Sequence, residues 1–396
     1  MEKVVLAYSG GLDTSYCVKY LMHEKKLKVH TILVNTGGFS EKELEDIKER
    51  AYELGSSSHI NKTILNEFYE KAIKYLIYGN VLKNNTYPLS VSAERIFQAI
   101  EVINYAKKVG AKYIAHGSTG AGNDQIRFDV IFQTLAPDIE IITPIRDLKL
   151  SRQDEVAYLE KHGVHYSWEK AQYSINKGIW GTSVGGKETL TSHSALPGTA
   201  YPSQLEKQTE ETITLNFDKG ELVGLNGSKD TPVKNIQKLE EIASAFAIGR
   251  DTHVGDTIIG IKGRVGFEAA APMVIIKAHH LLEKHVLTKW QQYWKEQLAN
   301  WYGMLLHEGN YLDPVMRNIE VFMEDAQKSV TGDVTVKLKP YHFTLEGVAS
   351  DHDMMKSDFG QYGEMNNSWT SDEAKGFIKI YGNANKIYHN VNENQL

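Results

Sequence analysis

Residues 4–15 read Val-Val-Leu-Ala-Tyr-Ser-Gly-Gly-Leu-Asp-Thr-Ser, and this stretch decides the fold of the chain. Its first four residues form a short apolar run, which is typical of a buried parallel strand. Residues 9–11 (Ser-Gly-Gly) then end the strand, and residues 13–15 (Asp-Thr-Ser) favour the start of a helix. A strand, a glycine turn and a helix N-terminus in this order leave backbone N–H groups unsatisfied at the positive end of the helix dipole. The stretch therefore predicts an anion site.

The composition indicates a globular protein with more than one domain. The 396 residues are 41% hydrophobic and 24% charged, which is ordinary for a protein with a large core. A formal net charge of -6 gives no electrostatic reason to expect nucleic acid or an anionic membrane as a partner. The only cysteine is Cys17, which excludes an intramolecular disulfide and a cysteine-based zinc cluster. The sequence has neither a basic leader with an apolar core nor an apolar stretch of membrane length, so we expect a cytoplasmic protein.

Strands and helices alternate along the N-terminal part of the chain. Apolar runs predict strands near 29–35, 58–60, 112–117 and 139–144, and helical periodicity fills the segments between them. This alternation is typical of a doubly wound, parallel, Rossmann-like α/β sheet. Ligands on such sheets bind beyond the carboxyl ends of the strands.

The pattern changes after residue 168, where we place the first domain boundary. The sequence predicts an α+β domain over 169–352 and a polar C-terminal arm over 353–396 that packs on another subunit. In detail, we expect a long loop rich in Gly, Ser, Thr and Pro over 176–203. Short apolar runs predict strands at 258–261 and at 273–276.

A second glycine-rich segment, residues 116–128, reads His-Gly-Ser-Thr-Gly-Ala-Gly-Asn-Asp-Gln-Ile-Arg-Phe. It carries a hydroxyl, an amide, a carboxylate and a guanidinium at Thr119, Asn123, Asp124 and Arg127. Such a set suits a zwitterion, whose carboxylate needs donors and whose ammonium needs an acceptor. Gly-Asn-Asp alone is ordinary turn chemistry. Because this segment follows a predicted strand in a chain that also carries an anion loop, we interpret it as a binding loop.

The two glycine-rich segments together carry a resemblance to a known family. Residues 9–15 resemble the pyrophosphate loop of the N-type ATP pyrophosphatases, which cleave ATP between its α- and β-phosphates. A Walker A loop is excluded, because no Lys follows the glycines at the required position. With residues 116–128 added, the chain resembles the argininosuccinate synthase family along essentially its whole length. Shorter matches are Tyr87-Pro88-Leu89, Ser174-Ile175, Ile179-Trp180-Gly181 and Gly376-Phe377-Ile378-Lys379.

The resemblance implies a fold and a reaction. The first domain would be an ATP pyrophosphatase-type nucleotide-binding domain and the second a synthetase domain, in a cytoplasmic homotetramer. The implied ligase joins citrulline and aspartate to give argininosuccinate, AMP and pyrophosphate through citrullyl-AMP, a step of arginine biosynthesis. ATP would bring Mg²⁺, with Asp13 and Asp124 as candidate outer ligands, and we predict no dedicated metal site. The partners would be these small molecules, with no nucleic acid and no membrane.

The resemblance also assigns site residues by position. The residues proposed for catalysis are Asp13, Asp124 and Arg127. Those proposed for ATP, with the last two against the adenosine, are Ala7, Tyr8, Ser9, Gly10, Gly11, Leu12, Asp13, Thr14, Ser15, Val34 and Gly117. Those proposed for aspartate are Thr119, Asn123 and Asp124. Those proposed for citrulline are Tyr87, Ser92, Asn123, Arg127, Ser174, Ser183, Asp256 and Phe267.

Two positions of the implied citrulline pocket depart from the family pattern. Relatives usually carry Glu where this chain has Gly255, and Tyr where it has Phe267. Loss of a carboxylate beside the substrate ammonium should cost about 1–3 kcal/mol if nothing replaces it. We expect Asp256 to take over after a small backbone shift. The alternative is a substrate whose α-nitrogen is uncharged, as in an N-acylated citrulline.

Three other hypotheses are weaker. Another N-type ATP pyrophosphatase, such as a tRNA thiolase or an amidotransferase synthetase, would need a cysteine pair or a glutaminase domain. A non-catalytic nucleotide sensor would need neither a zwitterion loop nor a large second domain. A metal site at His279, His280 and His285 is disfavoured, because their spacing does not place ligands on one helical face.

Overall fold

The structure is a computed structural model that describes residues 1–166, 173–356, 360, 362–364 and 368–392. The chain forms two compact units, Met1–Asp351 and His352–Leu396. The predicted boundary at residue 168 lies outside the described residues. In the described part of the chain, no helix is both long enough and apolar enough to span a bilayer.

A parallel five-stranded sheet confirms the predicted doubly wound fold. Its strand order is β3-β2-β1-β4-β5. The strands are β1 (Lys3–Ala7), β2 (Lys28–Asn35), β3 (Ser58–Thr63), β4 (Tyr113–Ala115) and β5 (Glu140–Ile142). The helices are α1 (Leu12–His23), α2 (Glu41–Glu53), α3 (Leu65–Phe68), α4 (Lys74–Tyr78), α5 (Glu94–Val109), α6 (Asp124–Leu135), α7 (Pro144–Asp147) and α8 (Arg152–Lys161).

Alternate residues of β1 face opposite layers of helices. Val4 and Leu6 pack in a core with residues of α1, α2 and α8. Val5 packs in the other core, against residues of α5. From β1 the chain continues to β2 on one side of the sheet, and from β4 it continues to β5 on the other side. The loops that follow the neighbouring strands β1 and β4 therefore leave in opposite directions. A crevice at this switch point is where open α/β sheets bind ligands.

The rest of the first unit holds two antiparallel sheets. The strands are β6 (Ser174–Gly178), β7 (Gly181–Gly185), β8 (Glu211–Asp218), β9 (Glu221–Leu225), β10 (Ser228–Lys229), β11 (Arg250–Asp256), β12 (Lys262–Glu268), β13 (Gly332–Lys339) and β14 (His342–Ala349). They form the sheets β11-β12-β7-β6 and β10-β9-β8-β13-β14. The helices are α9 (Pro232–Ser244), α10 (Ala270–Val286), α11 (Lys289–His307) and α12 (Pro314–Ala326).

Three predictions for this region were wrong. The predicted loop over 176–203 contains most of β6 and all of β7, joined by a tight turn whose Gly181 has φ +116°. The predicted strand at 258–261 is the turn between β11 and β12, where Gly260 has φ +83°. The predicted strand at 273–276 lies inside α10, because a short apolar run fits a buried helix as well as a strand.

The second unit contains α13 (Ser371–Tyr381) and α14 (Asn383–Val391). Neither helix has a buried residue.

Candidate active site

A cavity of about 600 Å³ lies at the carboxyl ends of β1, β2 and β4, within the first unit. This volume is typical of a site for a small-molecule ligand. Its wall takes most of its residues from the segments 7–14, 32–39 and 116–118, from the first turns of α5 and from part of β6. The polar side chains in the wall include Thr36, Glu43, Glu94, Arg95, Gln98, Asp124, Arg152, Asn176 and Lys177.

The loop between β1 and α1 has the geometry of an anion site. Gly10 has φ +77°, and a Cβ at this position would lie 2.9 Å from Cγ1 of Ile47. Nη1 of Arg50 donates a hydrogen bond of 2.7 Å to the carbonyl oxygen of Gly10, which fixes the turn from the side of α2. The N-cap residue Gly11 offers no side chain to the first amides of α1. These N–H groups are therefore available to an oxyanion.

Nine of the eleven residues proposed for ATP line this cavity, and Gly10 and Ser15 do not. Ser15 is fully buried. The hydroxyls of Ser9 and Thr14 lie in the wall, with their oxygens 3.3 Å apart. The loop thus presents hydroxyl and backbone donors on one side of the cavity.

The second glycine-rich segment contacts the first. A Cβ on Gly117 would lie 3.2 Å from Cγ2 of Thr14. Just before it, Nδ1 of His116 accepts a hydrogen bond from the Ser118 amide, so Nε2 carries the proton donated to Oδ1 of Asp129, at 2.9 Å. This pairing anchors the start of the segment to α6.

Asp124 is the centre of a charged network at the start of α6. Nε of Arg95 donates to its Oδ2 and Nη1 of Arg127 donates to its Oδ1, both at 2.9 Å. Burial alone would raise the pKa of Asp124, but the charges of these two arginines outweigh it and lower the pKa. Asp124 is therefore a carboxylate, fixed in position in the wall of the cavity that the loop between β1 and α1 also lines.

The other residues proposed for aspartate lie outside the cavity wall. Thr119 is exposed. Oδ1 of Asn123 accepts a hydrogen bond of 2.9 Å from the backbone N–H of Ile258, in the turn between β11 and β12. That contact joins the second glycine-rich segment (residues 116–128) to the hairpin formed by β11 and β12.

Several residues proposed for citrulline form a buried cluster. The Tyr87 ring lies against the rings of His253 and Phe267, with centroids 5.1 and 5.4 Å apart. Ser183 pairs with Phe267 between β7 and β12, and it is buried, as Ser92 is. Arg127 is also buried, and its Nε donates to the carbonyl oxygen of His307 at 2.8 Å. Ser174 differs from this group, because it is exposed at the start of β6.

The structure separates Asp256 from this cluster. Successive side chains of a strand face opposite sides, so His253 and Gly255 share the buried face of β11 while Asp256 faces outward. Asp256 is exposed and pairs with Nζ of Lys262 at 2.8 Å. A Cβ on Gly255 would lie 2.8 Å from Nε2 of His253. The imidazole therefore occupies the space that a larger side chain at position 255 would need. The expected replacement of the lost carboxylate by Asp256 therefore does not fit this geometry.

Comparison with known proteins agrees with this arrangement along the chain. The family model for the arginosuccinate synthase N-terminal HUP domain matches residues 3–165, and the model for the C-terminal domain matches residues 173–388. The chain belongs to the argininosuccinate synthase family. Argininosuccinate synthase of Dictyoglomus thermophilum is 36% identical over 390 residues, which cover 98% of this chain and 97% of that protein. The argininosuccinate synthases of Pyrococcus furiosus and Xanthomonas axonopodis pv. citri are 36% and 35% identical, over 98% and 99% of this chain and 95% of each relative.

In this member of the argininosuccinate synthase family, several cavity residues were missed by the sequence prediction. Thr36 follows directly after β2, so its position at the carboxyl edge of the sheet was a usable signal. Glu94 and Arg95 carried no comparable signal. They reach the cavity because α5 packs against β1 and begins at the cavity wall.

Proposed function

We propose that this chain ligates citrulline and aspartate at the expense of ATP, giving argininosuccinate, AMP and pyrophosphate through citrullyl-AMP. One observation supports this most directly. A single cavity joins the glycine loop between β1 and α1 to Asp124 and Arg95, and Arg95 bonds to the Asp124 carboxylate. A ligase of this kind needs a triphosphate and an amino acid side by side.

The first step activates citrulline. A ureido carbon is a poor electrophile, because two nitrogens donate electrons into its carbonyl group. Attack of the ureido oxygen on the α-phosphorus forms the C–O–P linkage, and the electron pair of the broken P–O bond leaves on pyrophosphate. The hydroxyls of Ser9 and Thr14 and the free amides of α1 would stabilise that charge.

The second step uses the amine of aspartate. Asp124 would bind its ammonium group, with Thr119 and Asn123 completing the aspartate site. Arg127 would pair with the citrulline carboxylate, beside Tyr87, Ser92 and Ser183. Alignment of the two reactants would supply a large part of the acceleration.

Mg²⁺ would enter with ATP and neutralise phosphate charge. The described residues contain no group of three or more His, Cys, Asp or Glu side chains that could hold a metal. Asp13 is the better candidate ligand, because Asp124 is already paired with two arginines. Glu155 fits such an ion, since its buried Oε2 has no hydrogen-bond partner in the described part of the chain and its carboxyl contacts Asp13.

We also infer a cytoplasmic homotetramer that works in arginine biosynthesis. The single, buried Cys17 supports a chain that needs no oxidising compartment. The unburied helices of the second unit support assembly with other copies of the chain.

The deciding experiment measures products from ATP, Mg²⁺, citrulline and aspartate. We expect argininosuccinate and pyrophosphate in equal amounts over many turnovers, with no argininosuccinate and no sustained net release of pyrophosphate when any substrate is omitted. Asp124→Asn should lower kcat/KM for aspartate by about 100-fold. Asp138→Asn, an identical change at an exposed position, should have no effect. No argininosuccinate from the unaltered chain, or an unaffected Asp124→Asn variant, would contradict the proposal.

An N-acylated citrulline is the second candidate substrate, favoured by the buried face of β11. The buried residues of that face, His253 and Gly255, supply no carboxylate, and Nδ1 of His253 has no hydrogen-bond partner among the described residues. Burial, together with the charge of Lys83, lowers the pKa of His253, so its imidazole is neutral at pH 7. A neutral ring suits an uncharged amide better than an ammonium group. Side-by-side kinetics decide the matter, because efficient turnover of citrulline without turnover of N-acetylcitrulline excludes this candidate.

A further inference from the structure

Glu94 is a buried carboxyl in the cavity wall that has no part in the roles described above. It is the first residue of α5, and its side chain is 2% exposed. It nevertheless lines the cavity that contains the phosphate loop and Asp124. A charged group in this position is costly to bury unless its partners are well arranged.

Neighbours on three sides hold the Glu94 carboxyl. Oγ1 of Thr36 donates a hydrogen bond of 2.6 Å to Oε2, and Nη1 of Arg95 donates one of 2.9 Å to Oε1. On the third side, a Cβ on Gly178 would collide with Oε2, so glycine at the end of β6 leaves room for the carboxyl. The group is thereby fixed in one position.

Arg95 connects Glu94 to the proposed aspartate site. Its Nη1 bonds to Glu94 while its Nε bonds to Oδ2 of Asp124, each at 2.9 Å. One guanidinium therefore spans the two carboxyl groups. A ligand ammonium bound at Asp124 would lie in the cavity whose wall includes Glu94.

We propose that Glu94 is the base that removes a proton from the ammonium group of bound aspartate. This inference rests on the proposed ligase function. The freed lone pair on nitrogen attacks the activated ureido carbon and forms the C–N bond. The C–O bond to AMP breaks, and its electron pair leaves on the AMP phosphate. A second proton from the attacking nitrogen leaves with AMP or to water, and Glu94 returns its own proton to solvent.

The charges around Glu94 suit this role. Among the described residues, the charged groups that act on it are Arg95 on its own helix and Asp124 on α6, while Thr36 and Gly178 contribute no charge. Burial raises the pKa of Glu94 to about 7, against the lowering effects of Arg95 and of the hydrogen bond from Thr36. A base is most effective when its pKa lies near the working pH.

The test separates the two steps of the reaction. Citrulline-dependent exchange of labelled pyrophosphate into ATP, without aspartate, reports the first step, and argininosuccinate formation between pH 6 and 9 reports both. In the unaltered chain the overall rate should rise up to about pH 7 and then level off. Glu94→Gln should keep the exchange within about threefold but lower the overall rate at pH 7 by about 10²-fold or more. Its overall rate should continue to rise with pH, because the amine must then lose its proton to water.

Two further variants make the result specific. Glu101→Gln, the same change elsewhere on α5, should behave as the unaltered chain. Thr36→Val removes a hydrogen bond that favours the ionised carboxyl, so the rising limb of the pH profile should move to higher pH. An overall rate unchanged in Glu94→Gln, or an exchange rate that falls as far as the overall rate, would overturn the inference. Absence of exchange in the unaltered chain would instead overturn the proposed function itself, and this inference with it.

Discussion

Asp256 and Arg127 are two charged residues proposed for citrulline, and their surroundings predict opposite responses to substitution. Asp256 is exposed, and its ion pair with Lys262 is of a kind worth at most about 1 kcal/mol. Asp256→Asn should therefore leave the KM for citrulline within about twofold. Arg127 is buried and bonded to Asp124, so Arg127→Lys should raise that KM at least about tenfold, since Lys cannot reproduce a guanidinium fork. Steady-state kinetics at saturating ATP and aspartate make the comparison.

Asp251→Asn is the matched control for the first variant, because Asp251 is also exposed on β11. A tenfold rise in KM for Asp256→Asn alone would show that the strand shifts when citrulline binds. In that case Asp256 would supply the carboxylate that is missing at Gly255, as expected from the sequence.

At the scale of residues, the sequence predicted a place in the cavity wall for those residues whose position depends only on their neighbours in the chain. The residues at 7–14 follow one strand, one glycine turn and one helix start, so their neighbourhood in the chain defines their position. Glu94 and Arg95 were not predicted, because they enter the cavity through the packing of α5 on the sheet. Asp256 lies on the exposed face of β11, because a strand alternates its faces at every residue. Its use for citrulline stays a prediction that requires a shift of the strand.

At the scale of elements, α10 and α11 are joined by a buried ion pair. Nζ of Lys295 lies 2.7 Å from Oε2 of Glu283 and donates to the carbonyl oxygen of Tyr78, also at 2.7 Å. Nε2 of Gln327 donates to Oε1 of Glu283 at 2.8 Å. The pair is almost completely buried. Every charged atom in it has a partner, as a buried ion pair requires.

Lys295→Met should destabilise the fold by about 3–5 kcal/mol, because it leaves Glu283 buried without its counter-charge. Burial alone would raise the pKa of Glu283, but Lys295 and His279 hold it below its usual value. The pair's contribution is thus present at neutral pH and lost as the pH falls through the carboxyl range. In the variant, burial without Lys295 raises the pKa of Glu283 instead, so the deficit should already shrink between pH 7 and pH 5, because protonation removes the uncompensated charge.

Urea unfolding at pH 7 and pH 5 measures both effects. Lys277→Met, an exposed site on α10, is the control and should change stability by less than about 0.5 kcal/mol. A deficit for Lys295→Met below about 1 kcal/mol, or one that grows at pH 5, would contradict this interpretation of the pair.

The same elements show what periodicity predicts and what it does not. Helical spacing of apolar residues runs over 278–306, but α10 ends before Thr288, where a capping box with Gln291 begins α11. The Thr-x-x-Gln pattern was a readable signal for that break. Residues 273–276 gave no such signal. Four consecutive apolar residues in the buried part of a helix have the same local pattern as a short buried strand.

At the scale of the whole molecule, the second unit lacks the burial that its helices need. Helices of 11 and 9 residues are marginal in water unless an apolar face packs against something. The large apolar side chains of α13 and α14 are all at least 62% exposed in the single chain, namely Phe377, Ile378, Ile380, Tyr381, Ile387, Tyr388 and Val391. This face supports the proposed homotetramer, in which another copy of the chain would cover it.

Placing charges on that face should therefore change the assembly but not the fold of the first unit. The double variant Ile380→Glu and Ile387→Glu should sediment as a smaller species than the unaltered chain, for which we expect four copies. Its thermal unfolding should still show a cooperative transition, since Met1–Asp351 is a compact unit with its own core. Lys379→Glu reverses the charge of an exposed polar residue on α13 and should leave the assembly intact. If the unaltered chain sediments as a single copy, or the double variant still forms the full assembly, the exposed face does not hold the subunits together.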